Sequence, residues 1–288
     1  MRAEFRKNKT EENGRMGKII RNNTMVRILL CAIVVIPGLS NNERAETLDS
    51  VSHIHHLKVV EKKALVLTHE GLFELVDKNN MKLVGKDKFD VMGFTTLGKT
   101  LVASGHPAKG SKAPNPIGLL KSIDGGSTWR AVSLVGKVDF HLLEGARSEL
   151  YGADSQSGNL MHSADSGKTW SSLGANNFSD IAVSPKAQGV AIAIENSELL
   201  LTKNAFKSTT KIKNNLKITQ IEWRNSGLYA LNDSSLYKSS NTGKTWTKLS
   251  TFKAEPGILS VSDQMMLVTV GSDIYTSSNN GRKFKVLP

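Results

Sequence analysis

A short motif that recurs at near-constant intervals constrains this chain more than any other feature of its sequence. Four segments begin with Ser, carry Asp or Asn two residues later and Gly two residues after that, and end in an aromatic residue. They span residues 122–129, 163–170, 239–246 and 277–284. A degenerate copy begins at Thr202, so that successive copies start 41, 39, 37 and 38 residues apart. A period of about 40 residues is typical of propellers and solenoids.

Each copy of the motif lies between two short apolar segments, which predicts a turn between two β-strands. Ser, Asp and Asn side chains accept hydrogen bonds from turn amides, and Gly permits a positive φ. The final aromatic side chain can fold back between neighbouring sheets, so we interpret three of the four tryptophans as structural rather than as a sugar-binding platform. The residues assigned to this structural motif are Ser122, Asp124, Gly126, Trp129, Ser163, Asp165, Gly167, Trp170, Ser239, Asn241, Gly243, Trp246, Ser277, Asn279, Gly281 and Phe284.

Around each motif the sequence accommodates four strands, here named A to D, with the motif between C and D. A first unit without the motif begins at residues 53–60, which gives six units over residues 51–288. The Gly- and Pro-rich segment 105–116 is an insertion within the second unit, because the repeats continue on both sides of it. We therefore predict an all-β, single-domain, six-bladed β-propeller with the motif turns between strands C and D.

The N-terminal region differs from the repeats and predicts export. Residues 28–36 are apolar but too few to span a bilayer, and basic residues precede them. Gly38 and Ser40 are small residues suited to a cleavage site. We expect a signal peptide at residues 1–40, with Met16 or Met25 as alternative starts, then a linker at 41–50 and a propeller outside the cytoplasm, extracellular, at the cell surface or periplasmic.

Cysteine and charge narrow the expected partners. Cys31 is the only cysteine and lies in the predicted leader, so disulfides are not expected in the exported form. The chain carries a formal charge of +12, and much of the excess is lysine spread over the sequence. Because export separates the protein from nucleic acid, none is expected as a partner. An anionic cell wall, a membrane surface or an extracytoplasmic protein is still a possible partner. We expect the protein to be a monomer.

The motif makes the chain similar to the Asp-box (BNR) repeat proteins, which include sialidases, sortilin-type receptors and photosystem II assembly-factor-like propellers. Segments 53–57, 68–73, 104–107, 114–119 and 139–141 also resemble exported bacterial proteins described as sialidase-like or F510-type glycosylhydrolases. His56 replaces a glycine expected from that resemblance. The resemblance implies a propeller, whereas the activity depends on the site.

Histidines distinguish one face of the predicted propeller. Strand A lines the central channel, the A–B and C–D turns share the bottom face, and the B–C and D–A connections share the top face. Five of the seven histidines map to the top of the first three blades, whereas His56 is expected to point away from its neighbours. The five are His53, His55, His69, His106 and His141.

These histidines predict a ligand site, for which the sequence leaves three readings open. Imidazoles from separate strands could bind a divalent transition metal such as zinc or copper, with Asp139 or Asp154 as a further ligand or as a partner behind the histidines. Glu70, Asp139 and Asp154 could instead act as catalytic acids or bases with a histidine. In the third reading each histidine separately caps a strand or bonds to a loop.

Sialidase activity is not expected, because it needs an arginine triad at the top centre. Arg130 and Arg282 adjoin bottom-face turns, and Arg147 and Arg224 fall at or near A–B turns. The four tyrosines occupy matching repeat positions and are interpreted as packing residues.

The first functional hypothesis is therefore an exported propeller that binds a metal, a small ligand or a partner at its histidine-lined top face. A glycoside hydrolase, or another hydrolase or lyase using the same residues, is the alternative. A further alternative, by fold analogy, is an extracytoplasmic assembly scaffold.

Overall fold

Short strands and the turns and loops that join them make up nearly all of the described part of the chain. The structure is a computed structural model that describes residues 46–51 and 53–287. Its strands form six antiparallel sheets of four strands, each sheet built from strands consecutive in sequence. Blades 1 to 3 comprise β1 (Ile54–Val60), β2 (Lys63–Thr68), β3 (Gly71–Asp77) and β4 (Asn80–Leu83); β5 (Phe89–Leu97), β6 (Thr100–Pro107), β7 (Leu119–Ser122) and β8 (Arg130–Ser133); and β9 (Phe140–Ala146), β10 (Glu149–Asp154), β11 (Asn159–Ser163) and β12 (Ser171–Ala175).

The C-terminal half repeats the same plan. Blades 4 to 6 comprise β13 (Asp180–Val183), β14 (Ala191–Glu195), β15 (Glu198–Thr202) and β16 (Thr210–Ile212); β17 (Ile218–Arg224), β18 (Gly227–Asn232), β19 (Ser235–Ser239) and β20 (Thr247–Thr251); and β21 (Pro256–Val261), β22 (Met266–Val270), β23 (Asp273–Ser277) and β24 (Lys285–Val286). The degenerate copy at Thr202 thus forms a blade like the others.

The six A strands stand next to one another in a closed ring. Contacts join β1, β5, β9, β13, β17 and β21 in that order, and β21 contacts β1. Where blade 6 meets blade 1, the backbone N–H of Val59 donates to Ser260 Oγ at 2.9 Å. Between blades 2 and 3, the N–H of Phe140 donates to Ser104 Oγ of strand β6 at 3.1 Å. The ring confirms the predicted six-bladed β-propeller.

The motif segments form the turns between strands C and D. In the first turn, Ser122 Oγ accepts a hydrogen bond from the N–H of Gly126 and donates one to Asp124 Oδ1. The carboxylate of Asp124 accepts both the N–H and the hydroxyl of Thr128, and these bonds lower its pKa to about 2. The turns starting at Ser163, Thr202, Ser239 and Ser277 have equivalent bonds. The local chemistry of the motif therefore accounts for the turn.

The final aromatic residue of the motif packs between neighbouring blades. The indole N–H of Trp170 donates to Ser133 Oγ of blade 2 at 3.1 Å, while its ring centroid lies 4.9 Å from that of Phe140 in blade 3. Trp129 packs against a cluster that includes Leu67 of blade 1 and Phe89 of blade 2. These contacts agree with the structural interpretation of the tryptophans.

Beta-bulges interrupt the regular pairing near the top of several A strands. In β1 the register shifts between Ile54 and His56, which makes His55 the extra residue. In β9, Phe140 and Leu142 pair with consecutive residues of β10, so that His141 is the extra residue. A bulge bends its strand and re-aims the side chain it carries. The same irregularity thus sets the direction of two of the five top-face histidines.

The segment before blade 1 packs beside its outer strand. Glu46 forms an antiparallel bridge with Met81, and Leu48–Ser50 forms a 3-10 helix within the region expected to be a linker. The expected signal peptide at 1–40 lies outside the described residues. Within the described part of the chain, no helix is long and apolar enough to cross a membrane.

Candidate metal centre

The five top-face histidines lie in two clusters, each organised around one aspartate. His55 and His69 meet Asp90, with His53 close by. His106 and His141 meet Asp139. His55, Asp90 and His141 lie in the A strands of blades 1, 2 and 3, and His53 and Asp139 just precede two of these strands. His69 and His106 lie at the ends of the B strands of blades 1 and 2. The sequence indicated the histidines and Asp139 but not Asp90.

The first cluster has the spacing of a tetrahedral metal site. His55 Nε2 lies 3.2 Å from His69 Nδ1 and 3.5 Å from Asp90 Oδ1. His69 Nδ1 lies 3.0 Å from the same carboxylate oxygen. Zinc binds nitrogen and oxygen at about 2.0–2.2 Å, so tetrahedral ligand atoms lie about 3.3–3.5 Å apart. The three donor atoms form a triangle close to one face of that tetrahedron.

The electrostatics of the first cluster suit a cation. Burial, with an added effect of neighbouring His69, lowers the pKa of His55, which favours the neutral imidazole that metals require. Asp90 Oδ1 is buried and accepts no hydrogen bond from any described residue, even though His69 Nδ1 is near. A buried carboxylate oxygen without a donor is costly, and a bound cation would offset that cost.

His53 stands at the edge of the first cluster. Its ring centroid is 5.0 Å from that of His55 and 6.1 Å from that of His69. It precedes β1 and is exposed. Its ring therefore lies beside the triangle of ligand atoms without belonging to it.

The second cluster is a hydrogen-bonded group around a buried carboxylate. The side chain of Asp139 is 4% exposed, and one of its oxygens, Oδ2, contacts both histidines. His141 Nε2 lies 2.8 Å from it and His106 Nε2 lies 3.2 Å from it. Ser155 Oγ donates to that oxygen as well. The other oxygen, Oδ1, is buried and accepts no hydrogen bond within the described chain. His106 Nδ1 contacts Asn115 Oδ1 at 2.8 Å, which fixes the ring.

The remaining acidic candidates lie outside the clusters. Asp154 Oδ1 accepts the backbone N–H of Asp139, and its Oδ2 accepts the N–H and hydroxyl of Ser157. Asp154 therefore holds the β10–β11 turn and the backbone of Asp139 in place. Glu70 lies in the β2–β3 turn beside His69, and its N–H donates to Thr68 Oγ1.

The two clusters border one cavity at the top of the central channel. This cavity, of ≈ 380 Å³, is lined by His55 and His141 and also by Glu144 and Asp180. His56 also lines it, because the bulge at His55 breaks the strict alternation that predicted His56 to point away. The Nε2–H of His56 donates to the carbonyl of Met92, and burial lowers its pKa to about 4.

Below the cavity, the channel contains an ion-pair network that the sequence analysis did not single out. Lys58 Nζ lies 2.8 Å from Glu222 Oε1 and 3.9 Å from Glu144 Oε1. Arg224 pairs with Glu222 at 2.6 Å. The sequence feature that could have predicted this network is the charged residues in the middle of the A strands, because such residues point into the channel of a propeller.

Arginines gather at the other end of the channel. Arg147 and Arg224 line a second cavity, of ≈ 290 Å³, together with the A–B turns. Among the described residues, the lining of the top cavity consists of other side chains, including His55, His141 and Glu144.

Comparison with known proteins identifies the fold. No protein-family model and no curated protein matches the sequence. Among solved structures, YCF48 bound to a D1 peptide is 14% identical, covers 84% of this chain and 83% of its own, and superposes with a TM-score of 0.51. The chain is a β-propeller.

Two larger proteins contain the same propeller fold. PorZ, a surface component of the type-IX secretion system of Porphyromonas gingivalis, is 15% identical, with a TM-score of 0.55 and coverage of 83% of this chain. The GH74 xyloglucanase of Xanthomonas campestris is 15% identical, with a TM-score of 0.55 and coverage of 82%. This propeller spans 33% and 38% of their lengths. At such identities the likeness concerns the fold.

Asp90 is the functional candidate that sequence reasoning missed. It lies near the start of strand β5 and meets histidines from β1 and the β2–β3 turn. Its signal was weak: an acidic residue near the start of an A strand, in the blade next to the paired histidines. Without the ring closure that sets blade 2 against blade 1, nothing in the sequence joins Asp90 to His55.

Proposed function

We propose that this protein is an exported propeller that binds a divalent transition metal, zinc above all, through His55, His69 and Asp90. The observation that carries the proposal is the near-tetrahedral triangle of their donor atoms, with separations of 3.0 to 3.5 Å. Two imidazoles and one carboxylate form a three-ligand set typical of zinc sites that keep a fourth position for water or substrate. Copper is the competing metal for the same ligands.

The test is the metal content of the full chain, purified without a histidine tag. We expect about one zinc per chain by mass spectrometry after dialysis against zinc and removal of the excess. The Asp90→Asn and His69→Ala variants should each bind only a small fraction of the zinc that the wild type binds. His162→Gln is the matched control, because His162 pairs with a single carboxylate, Glu149, in blade 3. A chain that binds no metal, or an Asp90→Asn variant that binds it as well as the wild type, would overturn the proposal.

Hydrolysis is the second candidate function, favoured by the pairing of His141 with Asp139. The buried carboxylate accepts Nε2–H of His141, which leaves the Nδ1 lone pair of this 48% exposed ring free to take a proton. Since His141 and His55 border one cavity, a base and a metal could act on the same bound molecule. We expect Asp139→Asn to abolish any hydrolysis of a glycan or ester panel while zinc binding persists. Loss of both together would instead indicate a structural role.

The assembly-scaffold alternative rests on fold likeness. YCF48 in its complex binds a D1 peptide, and the likeness carries no residue of that site to this chain.

We propose export on the basis of the apolar segment 28–36 and the basic residues before it. N-terminal sequencing of protein recovered from outside the cytoplasm should begin near Asn41. Recovery of the protein only from the cytoplasm, with its N-terminus intact, would contradict export.

A further inference from the structure

Blade 2 carries an apolar groove outside the channel. It has a volume of ≈ 560 Å³ and lies between the connection that enters β5, the long β6–β7 loop and the outer strands β7 and β8. We propose that this groove docks an acidic segment of a partner protein that inserts one large apolar side chain. This proposal is independent of the metal site.

The groove exists because blade 2 alone carries a long insertion at its B–C connection. Residues 108–118 separate β6 from β7, whereas the corresponding connections in blades 1, 3, 4, 5 and 6 are short turns. Pro107 at the end of β6 and Pro114 of the insertion form one wall, and Phe89, Ile117 and Trp129 supply apolar surface inside. The groove is thus an addition to the repeat rather than a gap between repeats.

The apolar lining combines a buried floor with an accessible edge. Phe89 and Ile117 are 6% and 7% exposed and form the floor, while Val135 at the edge is 38% exposed. Trp129 lies over Phe89 with ring centroids 5.4 Å apart and is partly exposed. Apolar pockets of this kind receive the anchoring side chains of interfaces, because burial removes surface from water on both partners.

Hydrogen bonds hold the insertion in place. The N–H of Ile117 donates to the carbonyl of Gly105 at 3.0 Å, and the N–H of Gly136 donates to the carbonyl of Pro116 at 2.9 Å. His106 Nδ1 contacts Asn115 Oδ1, which ties the loop to the second histidine cluster. A groove formed before binding requires little ordering, so more of the contact energy appears as affinity.

The charge around the groove determines the partner's chemistry. Lys86, Asp87 and Lys88 line it, and Lys109, Lys112 and Lys137 belong to its bordering loops, so that lysines outnumber the one acid that lines the groove. None of these five lysines forms an ion pair with any residue that the structure describes. Residues 105–138 contain five Lys or Arg and a single acid, Asp124, which lies in a C–D turn. A positive rim attracts an acidic segment.

The combination of rim and floor favours a polypeptide over an anionic polymer. A polyanion such as a cell-wall polymer would pair with the lysines but leave the Phe89, Ile117 and Trp129 surface unused. An acidic peptide with an apolar anchor uses both. The two kinds of partner therefore differ in their dependence on the anchor.

The experiment is a titration of the full chain with a short Glu-rich peptide that has one central Phe. Binding is detected as a change in tryptophan fluorescence, to which Trp129 in the groove contributes. We expect a saturable change in emission that is absent in Trp129→Phe and is weakened at least about tenfold by Lys86→Glu with Lys88→Glu. Exchanging the peptide Phe for Ser should weaken binding similarly. Lys244→Glu with Lys283→Glu, on C–D turns, is the matched control and should leave the affinity unchanged.

A second variant guards against misfolding of the tryptophan variant. Val135→Asp adds a charge at a position that is already 38% exposed, so the fold should persist while peptide binding falls. Asp90→Asn should bind the peptide normally, which separates this proposal from the metal site. The proposal would be overturned if neither peptide gave a saturable change. It would also be overturned if the Phe and Ser peptides bound equally well, which would indicate a surface for polyanions.

Discussion

Nε2 of His55 lies 3.2 Å from Nδ1 of His69, and both atoms contact the same carboxylate oxygen of Asp90. The two nitrogens cannot both donate to each other, and the oxygen between them accepts no hydrogen bond from the described residues. The three ligand atoms converge within 3.5 Å of one another. This arrangement leads to the first prediction.

Zinc should raise the melting temperature of the wild-type protein. A ligand that binds only the folded state at 100 times its Kd stabilises it by about 2.7 kcal/mol. The measurement is thermal unfolding of the full chain with zinc and with a chelator. In Asp90→Asn the two curves should coincide, whereas in His162→Gln they should differ as in the wild type. A zinc-induced shift that survives in Asp90→Asn would place the ion elsewhere.

Gly105→Ala should destabilise the protein and disturb both histidine clusters. Gly105 has φ of +149°, and an added Cβ would lie 2.0 Å from the carbonyl oxygen of Asp90. The change forces β5 and β6 apart between Asp90 and His106, at a cost of about 2 kcal/mol or more. Denaturant unfolding and zinc binding measure the two effects.

Gly98→Ala is the control for that change. Gly98 also has a positive φ, of +62°, but a Cβ there would meet nothing within 4 Å. We expect a loss of about 1 kcal/mol from the backbone alone, with normal zinc binding. Equal losses of stability in the two variants would show that the close approach to Asp90 is unimportant.

Glu144→Gln should stabilise the protein at alkaline but not at acidic pH. Burial in the channel raises the pKa of Glu144 to about 7, against the attraction of Lys58 and with an added effect of ionised Glu222. The unfolded chain releases this proton near the ordinary carboxyl pKa, so the folded state loses stability as the pH rises from there to about 7. Because the Glu144 side chain is 23% exposed, solvent screens part of the unfavourable charge. We therefore expect Glu144→Gln to increase the free energy of unfolding by about 2 kcal/mol above pH 8.

Denaturant unfolding at pH 5 and pH 8.5 tests the sign of this effect. Glu222→Gln is the contrasting variant, because Glu222 pairs with both Lys58 and Arg224 and holds a lowered pKa. Its removal leaves Arg224 without its carboxylate and the buried Lys58 with only the more distant Glu144, which should cost about 3 kcal/mol. If Glu144→Gln were destabilising at both pH values, the channel would require that carboxylate in its ionised form.

Trp170→Ala should cost about 3 kcal/mol, because the indole fills the space between blades 2 and 3. Trp170→Phe keeps most of that contact but loses the N–H donor to Ser133 Oγ, and should cost about 1 kcal/mol. Neither change should alter zinc binding. A loss of zinc binding with intact stability would contradict the structural interpretation of this residue.

Much of the fold could be predicted from the sequence because the information is local and repeated. Ser122, Asp124 and Gly126 specify a turn through bonds among neighbours, and the copies near 40-residue intervals repeat it. The six units over residues 51–288 were predicted for the same reason, and the strands form six sheets. The top-face histidines followed from knowing which turns face the bottom.

The candidate site was only partly predictable, because its contacts join residues far apart in sequence. The alternation rule placed His53 and His55 together but misdirected His56, since a bulge depends on pairing with β2. Asp90 meets His55 across a blade boundary, and Lys58 meets Glu222 across the channel.

The sequence by itself therefore determined a propeller with six repeats and a histidine-bearing face, because turn chemistry and strand alternation act between near neighbours. The tertiary structure alone decided that five histidines form two clusters around Asp90 and Asp139, and that the insertion of blade 2 forms an apolar groove. The physical reason is ring closure. Bringing β1 against β5 and β21 creates distances that no local pattern in the chain encodes.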